Sequence, residues 1–236
     1  MSAPGGWRQV WERRTLDPSR GSALSALMAA DGLDTAFGQI TERRWREFVN
    51  RRAGELGAGP GTAVYEVGCG AGAFLYVLAQ SGCEVAGLDQ SATLVGLARQ
   101  AMPAGRFDVA EATGLAVSPA VDILVSCGVF LYFPDLDYAA SVIELMAARA
   151  TRAVAILDIP DAATREAAMA ARAELAGGEA AYRERYAGLE HLYYERSWIA
   201  GRLAAAGLVG VKTADQDIPG YANGAFRFNA WGFVPS

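Results

Sequence analysis

With 236 residues, the chain is long enough for one α/β domain with a sizeable core and short for two full domains. A composition of 52% hydrophobic and 20% charged residues is globular, and no apolar run is long enough to cross a bilayer. The net charge of −5 argues against a nucleic-acid partner, and three scattered cysteines, Cys69, Cys83 and Cys127, offer neither a disulfide framework nor a metal site.

The opening residues, Met1 to Trp7, lack the charged head and apolar middle of a signal peptide, so a cytoplasmic location is expected. The arginine-, alanine- and glycine-rich composition suits a GC-rich bacterial genome. Residues 1–60 read as a helical extension. Ser22 to Ala30 is helical and stops at Asp31-Gly32; Thr41 then caps a helix whose apolar face carries Trp45, Phe48, Val49, Ala53 and Leu56. Arg43, Arg44, Arg46, Arg51 and Arg52 alternate there with Glu42, Glu47 and Glu55, which reads as a solvated helix face rather than a phosphate-binding stripe. Between the two helices, Asp31 to Gly38 is either a mobile lip or a plain connector.

From Ala63 the pattern alternates. Strands are expected at Ala63 to Val67, Glu84 to Leu88, Phe107 to Val109, Val121 to Ser126 and Ala153 to Leu157. Helices are expected near Ala73 to Gln80, Ala92 to Met102, Leu136 to Ala150 and Ala162 to Leu175. Short strands separated by helices imply a doubly wound, parallel α/β sheet with its ligands at the carboxyl ends of the strands. Residues 158–196 form an irregular insert, expected to act as a substrate lid. A helix at Arg196 to Ala206 and strands at Val209 to Gln216 and Phe226 to Phe233 end the chain, and two strands in succession must pair antiparallel.

The most informative stretch is Val64 to Phe74, Val-Tyr-Glu-Val-Gly-Cys-Gly-Ala-Gly-Ala-Phe. It describes a strand that breaks into a glycine turn and opens a helix, where bare backbone can approach a ligand. Two families share this grammar. Gly68, Gly70 and Ala73, with Asp89 about twenty residues on, satisfy the dinucleotide fingerprint. Glu66, two residues before the first glycine, completes E-x-G-C-G-x-G, which resembles the first motif of the class I S-adenosylmethionine-dependent methyltransferases. A carboxylate at that point suits a cationic amino-acid tail and repels a pyrophosphate.

The resemblance implies a Rossmann-like, seven-stranded sheet over residues 61–236, mostly parallel with an antiparallel last strand, under an N-terminal helical cap. It implies S-adenosylmethionine as cofactor and a small-molecule acceptor, without nucleic acid, membrane or metal. It places Glu66, Gly68, Cys69, Gly70 and Gly72 at the methionine end. Asp89, with Gln90 beside it, falls at the ribose, Glu111 and Ala112 at the adenine, and Cys127 and Gly128 at the sulfonium. Ser91 is expected to cap the following helix and leave Asp89 free. Two residues are candidate bases: His191, in a His-Leu-aromatic-aromatic segment similar to one common in the family, and Asp158, at the end of the fifth strand. A histidine in that segment more often packs structurally, and Asp158, with Asp161, is equally a cap for the following helix. Cys69 and Cys127 read as neutral wall residues, because no base accompanies either. Tyr182, Tyr186, Tyr193, Tyr194 and Tyr221 either line an acceptor pocket or pack on helices. A catechol-type, metal-dependent mechanism would need an acid where Ser126-Cys127 stands. The expected activity is methyl transfer, most readily to oxygen, in specialised metabolism. An NAD(P)-dependent oxidoreductase and a non-catalytic cofactor-binding protein are the alternatives.

Overall fold

Apolar side chains alternate between the two sides of the central strands, and both sides are buried, so helices must cover each face. In the computed structural model, which describes residues 6–15, 21–33 and 39–235, Val64 points into one core while Tyr65 and Val67 point into the other. Among the described residues seven strands form one sheet: β1 (Ala63–Val67), β2 (Glu84–Asp89), β3 (Arg106–Val109), β4 (Val121–Cys127), β5 (Ala150–Pro160), β6 (Val209–Asp215) and β7 (Arg227–Phe233). Their order is β3-β2-β1-β4-β5-β7-β6. The pairs through β5 are parallel, and β7 runs antiparallel to both β5 and β6, as the strand pattern requires. The order reverses between β1 and β4, and a crevice opens outside the carboxyl ends of strands at such a point.

Helices α2 (Ala23–Ala30), α3 (Glu42–Leu56), α4 (Ala73–Gln80) and α5 (Ala92–Ala101) cover one face; α6 (Leu136–Arg149) and α9 (Arg196–Ala205) cover the other. Thr41 starts α3 by accepting from Arg44 N, and Gly57, at φ +72°, ends it. Trp45, Phe48 and Val49 of α3 are almost fully buried against the sheet, and Trp45 Nε1 donates to Ala73 O at 3.1 Å. Of the described helices before β1, α2 and α3 belong to the sheet's own layer, and α1 (Gly6–Glu12) gives Trp7, Val10 and Trp11 to the wall of the crevice. The basic cluster divides. Arg43 and Arg51 are exposed, whereas Arg52 is buried between Phe48 and Trp231 and pairs with Glu55 and Asp217 at 2.8 Å each.

The insert is more regular than expected. Residues 158–160 are the end of β5, and a 3-10 turn at Ala162–Thr164 leads into α7 (Arg165–Ala176) and α8 (Glu179–Tyr186). Of the stretch Asp31 to Gly38, residues 34–38 lie outside the described residues. Among the described residues no helix is long and apolar enough to cross a membrane.

One irregularity in the sheet positions the site. Between Ile156↔Ala230 and Ile159↔Phe228, β5 sets two residues, Leu157 and Asp158, against one on β7, Asn229, a β-bulge. Within it Asp158 adopts φ +58°, and its amide leaves the ladder to donate to Asn229 Oδ1 at 3.0 Å. The bulge turns the Asp158 carboxylate into the crevice.

Candidate active site

The turn after β1 takes φ of +78° at Gly68, +53° at Gly70 and +89° at Gly72, conformations that L side chains rarely adopt. The amides of Gly68 and Cys69 both donate to Leu88 O at 2.8 Å, tying the turn to the end of β2. A Cβ on Gly68 would sit 2.4 Å from a Val129 methyl, and one on Gly70 2.3 Å from Asp31 Oδ1. Gly72 differs from its expected role. It is outside the crevice, and a Cβ there would strike Met102 at 2.5 Å, so this glycine lets α4 pack on the end of α5.

The crevice is a cavity of about 820 Å³, toward the upper end of the ~300–1,000 Å³ typical of small-ligand sites. Glu66, Gly68, Cys69 and Gly70 reach it from β1 and its turn, and Asp89 and Gln90 from β2. Glu111 and Ala112 follow β3, Glu111 exposed at the rim and Ala112 buried. Cys127 and Gly128 end β4, and Asp158 and His191 complete the wall. Apart from Gly72, every candidate residue therefore faces one space. The Cys69 and Cys127 thiols are pushed well up by burial, with carboxylates close by, and remain protonated.

One end of the cavity is acidic. Glu66 is 3% exposed, and its buried Oε2 has no hydrogen-bond partner among the described residues. Burial, with Asp31 and Asp89 nearby, pushes this carboxyl well above its usual range. Asp31 does not stand out in the sequence. It follows α2, yet its carboxylate accepts from Ala71 N at 2.6 Å and Ala73 N at 3.1 Å, capping the amino end of α4. Burial pushes it up to about 7, against the two amides, which pull it down. Its only sequence signal is an acid at a helix carboxyl end, where the helix dipole disfavours it and another partner must compensate. Asp89 is less free than expected: Oδ2 accepts from Gly70 N at 2.9 Å and Oδ1 from Ser91 N at 2.8 Å. Ser91 does cap α5, through Leu94 N at 3.2 Å. Each Asp89 oxygen keeps a further lone pair for a ligand hydroxyl.

The other end carries donors and rings. Asp158 Oδ1 accepts from Gln216 Nε2 and Oδ2 from Tyr221 Oη, both at 2.9 Å, and Arg227 Nη1 reaches the Asp158 carbonyl at 3.4 Å. His191 stacks on Trp7 at 5.0 Å and meets the edge of Tyr132 at 5.7 Å. Burial first, then Arg172 and Arg227, lower its pKa to about 2, so the imidazole stays neutral and is a poor proton acceptor. That environment is the packing alternative, and the role of base does not suit it. Tyr186 and Tyr221 line the cavity, whereas Tyr194 is fully buried in the core with its hydroxyl donating to Phe130 O at 2.8 Å.

α1 straps this end. Trp7 Nε1 donates to Glu190 O at 3.3 Å, and Glu12 accepts from Ala92 N at 3.2 Å and Thr93 Oγ1 at 3.0 Å at the start of α5. Trp7, Trp11 and Arg14 thereby become wall residues that the sequence pattern did not reveal, because their partners lie far along the chain.

Residues 64–152, which hold the glycine turn, Asp89 and the end of β4, match the family model described as a methyltransferase domain. That stretch is a methyltransferase domain. Solved structures share the domain's fold across nearly the whole chain. The N-methyltransferase NodS of Bradyrhizobium japonicum, in complex with S-adenosyl-L-homocysteine, has a TM-score of 0.65 at 18% identity and covers 97% of this chain and 98% of its own. The magnesium protoporphyrin IX methyltransferase of Synechocystis, with S-adenosylmethionine bound, scores 0.61 at 18% identity and covers 85% of each chain. An S-adenosylmethionine-dependent methyltransferase of Clostridium acetobutylicum scores 0.63 at 11% identity, over 88% of this chain and 98% of that one. At these identities the likeness is one of fold. No curated protein matches the methyltransferase sequence significantly.

Proposed function

We propose that this methyltransferase, with S-adenosylmethionine as its cofactor, acts in the cytoplasm on an oxygen atom of a small-molecule acceptor in specialised metabolism. The observation that carries the cofactor assignment is the buried Glu66 Oε2, which lacks a hydrogen-bond partner among the described residues and stands beside Asp31 and Asp89. A buried polar atom without a partner is costly, and a cationic ligand group relieves it. The dinucleotide alternative needs the amino end of α4 for a pyrophosphate, and the Asp31 carboxylate already holds the amides there. Glu66 and Asp31 would thus face the amino-acid ammonium, Asp89 the ribose, and Ala112 with Glu111 the adenine.

When bound, the cofactor supplies an electrophilic methyl group on a sulfonium. The residues of the chain orient the two reactants and exclude water. Gly128, at φ +67°, allows close backbone approach at the end of β4, and a Cβ there would lie 3.8 Å from Asp158 Oδ2, so the Asp158 group borders the cofactor end directly. Oxygen is favoured as the acceptor atom because the far wall presents the guanidinium groups of Arg172 and Arg227, which repel an ammonium.

Calorimetric titration tests the assignment. Micromolar binding of S-adenosylmethionine and S-adenosylhomocysteine is expected, with none of NAD or NADP; nicotinamide binding alone would move the chain to the oxidoreductases. In the same assay Asp89→Ala should weaken the sulfur ligands by about 1–3 kcal/mol, as for a lost charged hydrogen-bond partner. Unchanged affinity would remove Asp89 from the ribose.

A further inference from the structure

We propose that the acceptor is a carboxylic acid with an apolar body, held in the cavity as its carboxylate by Arg227. The proposal deepens the methyl-transfer reading, on which the role of the ligand as acceptor rests. Arg227 opens β7, faces the cavity and is 4% exposed. Among the described residues its guanidinium makes one hydrogen bond, the 3.4 Å contact with the Asp158 carbonyl, and no carboxylate lies within 4 Å of it. A buried cation without a close counterion is costly, and a ligand anion removes that cost. Asp158 is the acid that acts most on Arg227, but it makes no ion pair with it, and its two oxygens accept from Gln216 and Tyr221 instead.

The charge and the walls narrow the ligand further. Arg172, on α7, also faces the cavity, and both guanidinium groups act on His191 and Tyr132, so the two share one neighbourhood. Arg14 also lines the cavity and acts on Tyr132, so this end is cationic, which suits an anion held by Arg227. Leu131, Leu175, Ala176 and Tyr186 provide apolar wall around this end, which suits an aliphatic or aromatic body. The acids Asp31, Glu66 and Asp89 at the opposite end repel an anion and so fix its direction of entry. A carboxylate also arrives already deprotonated. That fits a wall whose histidine is held neutral and whose Tyr132 and Tyr221 hydroxyls are pushed up by burial.

The test is calorimetric titration of the S-adenosylhomocysteine-loaded protein with benzoate, 3-phenylpropionate and octanoate, each against its amide and the corresponding amine. At least one carboxylate should bind in the micromolar to millimolar range, with its amide and amine weaker by about tenfold or more. Arg227→Gln should weaken that carboxylate by a similar factor while S-adenosylhomocysteine affinity stays within about twofold, and Arg227→Lys should recover part of the loss. Equal binding of amide or amine, no carboxylate binding at millimolar concentration, or unchanged carboxylate affinity in a cofactor-binding Arg227→Gln protein would overturn the proposal. If Arg227→Gln fails to fold, NMR of carboxyl-labelled ligand on the unmodified protein decides. A bound carboxyl pKa below the free value is expected, and one at or above it overturns the proposal. Failure of the unmodified protein to bind S-adenosylhomocysteine would count against the cofactor reading alone; the carboxylate titration then runs without it, and the same outcomes decide.

Discussion

Gly68→Ala is expected to destabilise the protein by roughly 2–5 kcal/mol and to abolish measurable cofactor binding, combining left-handed strain with overpacking. Its added methyl would fall 2.4 and 2.7 Å from the two Val129 methyls. Val129 is a short, β-branched side chain facing the cavity, so it cannot swing aside as a long side chain would and must carry its backbone with it. The strain alone can be measured at Gly177, which ends α7 at φ +92° and would meet nothing within 4 Å of an added methyl. Gly177→Ala should therefore cost only about 1–2 kcal/mol and leave the site intact. Urea denaturation and calorimetry on the two variants separate the terms. Equal losses would mean that Val129 yields, and that the close approach at Gly68 is not what the turn requires.

The legible and illegible parts of this molecule divide along physical lines. β1 and α4 are readable to the residue and β2, β3, β4, β6 and β7 to within one residue at one end, while β5 runs three residues beyond its expected bounds at each end. The central strands are legible because both their faces are buried and each becomes a short apolar run between turn signals. The reversed β7 follows from two strands with no α-helix between them. The glycine turn is legible for the same local reason: its φ values need glycine. What escapes depends on contacts between distant segments. Asp31 lies 40 residues before Ala71, whose amide it holds, and Trp7 donates to a carbonyl 183 residues away. The bulge that aims Asp158 is a property of register between β5 and β7, and register does not show in either strand alone. Gly72 belongs to the motif and so reads as a ligand contact, but its neighbour is Met102 of the same layer. Arg227 carries no local signal, since a charged residue at the start of a strand usually points to solvent.

Cofactor affinity should rise with pH up to about 7 and then level off. The Asp31 carboxyl, ordinarily near 3.8, is pushed up to about 7 chiefly by burial, and burial with the neighbouring acids pushes Glu66 well up too. The folded pKa of Asp31 lies above the unfolded one, so between about pH 4 and 7 the folded protein holds a proton that the unfolded chain has released. Stability without cofactor is therefore fullest below pH 4 for this group and falls as pH rises toward 7, by up to about 1.4 kcal/mol per pH unit. A cationic ligand favours the ionised carboxylate, so its binding expels that proton and gains up to about tenfold in affinity per pH unit over the same interval. Asp31→Asn should flatten both slopes, at the cost of about 1 kcal/mol for one α4 amide left without its acceptor. Titrating S-adenosylmethionine in buffers of different ionisation enthalpy counts the proton directly: release near pH 6 is expected, whereas uptake, or no exchange in the unmodified protein, would remove Asp31 from the cofactor end. The two slopes oppose each other. The ligand-induced rise in Tm should then be largest near neutral pH, where the acidic end is least stable by itself and most attractive to a cation.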